Sequence, residues 1–158
     1  MPTHPSSTLL SCIVRGAIAL AALLALVAPP PAAAQSRIPV LMSTTLADDD
    51  TTGRSLVYAI KESLRGSRGF RLVEDESAWP YLSMRLVTVS TTGGGTAMAI
   101  AFVYDSVDMP MGGAYVTTTI QTCGRDRIAA CAVSLMGSLD SAADRLRRGN
   151  KELWQTLH

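Results

Sequence analysis

Residues 81–122 read YLSMRLVTVSTTGGGTAMAIAFVYDSVDMPMGGAYVTTTIQT, three β-friendly runs set apart by two turn-rich breaks. The runs are 81–90, 96–105 and 114–122. The breaks, 91–95 and 106–113, carry the glycines, prolines and aspartates that favour tight turns. Three sequential strands joined this way predict an antiparallel meander. In the middle run Met98, Ile100, Phe102 and Tyr104 alternate with Ala97, Ala99, Ala101 and Val103, so the large side chains share one face, which should meet helices. In the last run Val116, Thr118 and Ile120 alternate with Tyr115, Thr117, Thr119 and Gln121. The second set predicts a hydroxylated face that tolerates water.

The partners of that sheet lie on both sides of it in sequence. After the meander, Ile128, Cys131, Ala132, Leu135, Leu139, Ala142 and Leu146 step by three and four, which predicts a long amphipathic helix over 126–148. Arg145, Arg147 and Arg148 suit the negative end of its dipole, and Gly149 and Asn150 follow as stop residues. Before the meander, 38–46 reads as a strand. Asp48, Asp49, Asp50 and Thr51 offer capping oxygens to a helix that carries Leu56, Val57, Ile60 and Leu64 at helical spacing. Gly66 and Gly69 are expected to close that helix in the left-handed conformation, and 70–73 reads as a second short strand, with Pro80 at the start of the next. The order β-α-β-β-β-β-α predicts one α+β domain, with two helices on one face of a largely antiparallel sheet.

The first 34 residues read as an address. Arg15 precedes an apolar run over 17–28, three prolines follow, and Ala32, Ala33 and Ala34 stand before Gln35. This is the order of charge, apolar segment and small-residue site that signal peptidase cleaves. The expected organisation is a cleaved signal peptide over 1–34, a domain over 35–150 and a tail over 151–158, in a periplasmic or secreted protein. The apolar run is short for a membrane span, so no stable insertion is expected after cleavage. Cys12 precedes that run, whereas a lipidated cysteine follows it, so lipidation there is not expected.

Cleavage leaves 124 of the 158 residues, room for one core. Arg15 is the one charged residue among 1–34, and the whole chain holds 14 Lys and Arg against 13 Asp and Glu. The mature chain is therefore formally neutral, which argues against nucleic acid as a partner, since nothing displaces counterions from a phosphate backbone. Of the two histidines, His4 leaves with the leader and His158 is the last residue. A serine nucleophile thus lacks a histidine base unless the terminus folds back, and the sequence places no pair of carboxylates across a cleft. Enzymatic activity is disfavoured, with an envelope hydrolase the least favoured reading. Of the three cysteines Cys12 is lost, and Cys123 and Cys131 make an even pair in an oxidising compartment, expected to form a disulfide.

Other motifs have plainer readings. Asp48–Asp50 lacks the spacing of a calcium loop, so capping is expected there and no metal. Gly93, Gly94 and Gly95 are followed by no Lys-Ser or Lys-Thr, and a hairpin turn is expected. Met109 and Met111 form a Met-x-Met that soft Cu(I) would accept, though without a histidine or third methionine nearby. Leu153, Trp154 and Leu157 in the tail suit either docking on the sheet or a partner.

The segment from Ser55 to Val73 joins the Leu56, Ile60, Leu64 helix to Ser67, Gly69 and the strand Phe70, Arg71, Leu72, Val73. It resembles the opening of anticodon-binding-like periplasmic domains, the type found at the amino terminus of the TolB translocation protein and in the outer-membrane lipoprotein activators of peptidoglycan synthases. The resemblance implies a non-catalytic envelope adaptor and carries over no site residues. The function expected is therefore a periplasmic binding module for an envelope protein, without a cofactor. Contact is expected through the sheet edge, the face bearing Tyr115, Thr117 and Thr119, or Trp154. The alternative is a carrier of a small ligand or copper.

Overall fold

The structure is a computed structural model, and it describes Arg37 to Leu157 except Asp108 and residues 110–112. The expected leader, Cys12, Met111 and His158 lie outside the described residues. The five strands are β1 (Ile38–Leu46), β2 (Phe70–Val73), β3 (Tyr81–Thr91), β4 (Gly95–Asp105) and β5 (Ala114–Cys123). Three α-helices join them: α1 (Thr51–Gly66), α2 (Ile128–Gly149) and the short α3 (Lys151–Thr156).

The strands form one sheet in the order β2-β1-β3-β4-β5. The meander forms as the alternation predicts, with β3–β4 and β4–β5 antiparallel, and these are the longer pairings. On the other side β1 runs parallel to both β2 and β3. A helix between β1 and β2 returns the chain to the same end of the sheet, so those neighbours must be parallel. Val40, Leu82, Met84, Leu86, Met98, Ile100, Phe102 and Tyr104 line one face and are buried. Against them pack Leu56, Ile60 and Leu64 of α1, and Cys131, Leu135, Leu139 and Leu146 of α2. The opposite face carries none of the helices' buried residues. A core of this kind needs one apolar sheet face and two helix stripes, and the three periodic patterns supply them.

The start of α1 is locked to the β3–β4 hairpin. Asp50 is 1% exposed, and its carboxylate accepts from Gly53 N at 2.6 Å and from Thr96 Oγ1 at 2.5 Å. Thr52 Oγ1 donates to the carbonyl of Gly94 at 2.6 Å. The hairpin turn itself places Gly93 at φ 91° and Gly94 at φ 77°, where a side chain would be strained. The glycine triplet thus serves a turn, as expected from the strands that flank it. Asp49 is also engaged structurally, accepting from Ser90 Oγ at 2.7 Å.

The C-terminus of α1 corrects one expectation. Gly66 and Gly69 do not adopt positive φ; the helix ends on Ser67, whose backbone is extended and whose N–H returns to Leu64 O. The Ser67 hydroxyl then accepts from Gly69 N and Phe70 N, so a side-chain oxygen makes the turn that glycine was expected to make. At the other end, a single 3-10 turn (Arg125–Arg127) precedes α2, and Asn150 both ends α2 and caps α3 through its side chain, at 3.1 Å from Leu153 N.

Cys123, the last residue of β5, is bonded to Cys131 in the first turn of α2. The bridge closes the connection between the edge strand and the helix beside it. Replacing both cysteines with serine is expected to cost about 2.5 kcal/mol from loop-closure entropy. For a domain of this size that corresponds to a fall of roughly 10 °C in thermal midpoint. Melting the oxidised protein, the reduced protein and the double variant side by side checks this, and the last two should agree.

Candidate functional site

β5 is the edge of the sheet, hydrogen-bonded to β4 on one side alone. Its two faces are set by a bulge. Phe102 pairs with Thr117 but Val103 pairs with Tyr115, so Val116 is an extra residue. An extra residue shifts the side-chain alternation by one. Thr117, Thr119 and Gln121, opposite Phe102, Ile100 and Met98, therefore lie on the helix side. Tyr115, Thr118, Ile120 and Thr122, opposite Val103, Ala101, Ala99 and Ala97, lie on the open side.

This divides residues that strict alternation had grouped together. Tyr115 stands on the open face at 68% exposure, whereas Thr117 and Thr119 are half-buried on the helix side. Val116, Thr118 and Ile120 had been expected to form the inward set. Instead Ile120 is 79% exposed, the most exposed large apolar side chain described. The alternation from Thr117 onward holds, but its two faces are the reverse of those expected and Tyr115 falls with the other set, because the bulge turns on pairing with β4.

On the helix side, Thr117 and Thr119 face Ser134, Gly137, Ser138, Ser141 and Arg145 of α2 across a groove. The groove continues past Gln121, Thr122 and Arg127 at one end. At the other it reaches Tyr115, Val116, Leu146 and Leu153. Its central stretch is walled by hydroxyls and small residues, its Leu146 end is more apolar, and arginines but no carboxylates are among the described residues that line it. Of the neighbouring arginines, Arg147 and Arg148 are held by Asp144, at 2.7 and 3.7 Å, and the cations that line the groove are Arg145 and Arg127.

On the open side, Val87, Val89, Ala97, Ala99 and Ile120 surround a shallow apolar depression of about 230 Å3. The register explains its shape. Thr45, Val87, Ala99 and Ile120 form one row across four strands, so alanines floor a channel between the valines of β3 and the isoleucine of β5. Val87 and Val89 had no place in the sequence reading of a surface. Their signal was the alternation of Leu82, Met84 and Leu86 with Ser83, Arg85, Val87 and Val89, which marks the second set as outward.

Further along the same face a polar cluster is buried. Tyr81, Ser83 and Asp105 are nearly inaccessible, and Arg85 Nη2 lies 3.6 Å from Asp105 Oδ1. Burial pushes the Asp105 carboxyl above its usual range, with the Arg85 guanidinium pulling the other way. Burial also raises the Tyr81 phenol, and the Asp105 charge adds to it. Gly113, at φ 89°, abuts this carboxylate, and a Cβ there would meet Tyr104 O at 2.5 Å.

The remaining sequence candidates are placed as follows. Trp154 is half-buried against the core, with the Arg147 guanidinium 5.9 Å from its ring centre, so it docks the tail. Leu157 is buried in the same core. Met109 is half-buried and packs against the core, while its expected companion Met111 lies outside the described residues. Among the described residues, no three His, Cys, Asp or Glu side chains gather as a metal set. No described helix is long and apolar enough to cross a membrane.

No family model matches the chain, and no curated protein matches it in sequence. Solved structures do match in shape. Two are crystal forms of the PelC dodecamer from Paraburkholderia phytofirmans, each 16% identical with a TM-score of 0.44. One covers 72% of this chain and 93% of PelC, the other 71% and 90%. A third is a minor lipoprotein from Acinetobacter baumannii, 13% identical with a TM-score of 0.34, covering 66% of this chain and 94% of that one. Likenesses at these scores say nothing of how this chain acts.

Proposed function

We propose that this protein is an exported, non-catalytic binding module of the cell envelope, and that it takes an extended segment of a partner protein onto the β5 edge. The observation that carries the reading is that β5 is a ten-residue edge strand with space on both of its faces. An added strand gains main-chain hydrogen bonds from the edge, and its alternate side chains reach the apolar channel beside Ile120 and the hydroxyl-lined groove beside α2. The other edge, β2, has four residues and offers far less backbone to pair with. Export rests on the leader over 1–34, and the resemblance of Ser55 to Val73 to periplasmic adaptor domains agrees with it.

A lysine at position 120 separates this function from folding. Ile120→Lys replaces an exposed side chain, so the thermal midpoint should move by no more than a few degrees, in line with the ~0.5 kcal/mol typical of surface changes. The charge blocks strand addition and enters the apolar channel, so a partner co-purified with the exported, tagged protein should fall by at least tenfold. Undiminished recovery of the same partner would place the contact elsewhere.

A further inference from the structure

We propose that a second site, remote in sequence from β5, binds a small ring-shaped carboxylate of the hexuronate class. A cavity of about 320 Å3 lies at the start of β1 and β2, walled by Pro39, Pro80, Leu157 and Trp79 and lined by Arg37 and Arg71. Alternation along β1 and β2 sets the two cations on one face of the sheet. Pro39 pairs with Arg71, while the adjacent pair Ile38 and Phe70 points into the core, so Arg71 and Arg37, two residues before Pro39, project to the open side.

Among the described residues, no aspartate or glutamate lines the cavity. Arg37 makes one contact, Nη1 donating to Ser67 O at 3.5 Å, and Arg71 has no hydrogen bond or ion pair among the described residues. The hydroxyl of Thr156 is engaged with Leu153 O and the Tyr104 phenol, which leaves the Trp79 indole N–H as the other polar group present. Recognition is therefore left to two guanidiniums, whose planar forks match the two oxygens of a carboxylate. Trp79 is 39% exposed, and Tyr81 backs its ring at 4.9 Å between centres, which holds the indole as a platform. An indole face beside paired cations suits a ring that carries an acid. The volume stands at the low end of ligand sites, about 300 to 1,000 Å3, and so admits one ring. No long helix N-terminus and no cluster of backbone N–H groups lines the site, the features that favour phosphate.

The test titrates the exported protein with glucuronate and galacturonate, reading the Trp79 indole and Arg71 side-chain resonances by NMR. Glucose, benzoate and inorganic phosphate serve as probes of the ring, the acid and bare charge. Saturable shifts with a uronate, at least tenfold weaker binding in both Arg71→Gln and Trp79→Ala, and weaker binding of all three probes are expected. Arg71 is exposed, so R71Q should fold as the parent does, and an unchanged melting midpoint checks this. Equal binding of glucose or phosphate, preference for benzoate, unchanged affinity in R71Q, or no shift at 20-fold excess over a concentration of ~1 mM would each overturn the proposal.

Discussion

Asp50→Ala should lower stability by about 3 kcal/mol, a fall of roughly 12 °C in thermal midpoint for a domain of this length. Two losses combine. The first is the helix cap, as Asp50 accepts from Gly53 N, and such caps contribute about 0.5 to 2 kcal/mol. The second is the charge-assisted bond from the buried Thr96 hydroxyl, which would fall back on the longer contacts to Val89 O at 3.3 Å and Ala97 O at 3.5 Å, at a cost of about 1.5 to 3 kcal/mol. The Thr88 hydroxyl, buried beside the same carboxylate, loses its electrostatic contact with it as well.

The same carboxylate gives a pH signature. Burial on its own would raise Asp50, but the Thr96 and Thr88 hydroxyls, the Gly53 N–H and the charge of Arg54 outweigh it and hold the acid below its ordinary 3.8. A lowered pKa stabilises the fold when the group is ionised, so the contribution is complete above pH 3.8 and is lost as pH falls through the folded value. Asp105, raised by burial, runs in the opposite sense, and comparison with a variant isolates Asp50. Denaturant unfolding of the parent and Asp50→Asn should therefore show a gap at pH 6 that narrows towards pH 2. A gap constant across that range would contradict an ionised, hydrogen-bonded Asp50.

Gly53→Ala has the second large effect, and its sign depends on Asp50. In an ordinary helix interior this change stabilises by about 1 kcal/mol. Here a Cβ would collide with Asp50 Oδ2, lie 2.6 Å from Asp50 Cγ and 2.7 Å from Thr88 Oγ1. The carboxylate must leave the place from which it caps α1 and receives Thr96. The expected cost is about 3 kcal/mol, close to that of removing Asp50 itself. In the Asp50→Ala background the main obstacle is gone, and the further change should cost less than about 1 kcal/mol or become favourable. Additive losses in the double variant would show that the two residues do not share this site.

Local chemistry explains why the elements were legible and the site was less so. The strands at 38–46 and 70–73 and the buried positions of both long helices follow from period and capping alone, and Asp50 caps α1 as its residue type predicts. The Cys123–Cys131 bond was expected from an even pair of cysteines behind a leader-like segment, and the structure contains it. What the chain does not announce locally is pairing. Whether β1 runs parallel to β3 depends on which edge the chain returns to, and the bulge at Val116 exists through its partners Phe102 and Val103. Thr117 and Thr119 were accordingly grouped with Tyr115, and Ile120 was sent inward. The groove beside α2 also joins residues far apart in sequence, as Thr119 and Arg145 do, and no single window contains it. Ser67 in place of glycine is a subtler case, since both residue types end helices and the choice rests on one hydroxyl.

The most direct test of β5 as the partner surface places a photo-crosslinking amino acid, one site at a time, at Tyr115, Ile120 and, as a control, the exposed Tyr58 of α1, in exported protein irradiated in living cells. The account predicts that one envelope protein is captured from positions 115 and 120 and not from 58, that its crosslinked peptide is an extended segment, and that Cys123→Ser with Cys131→Ser weakens capture. Crosslinks to that partner from position 58 alone would contradict it.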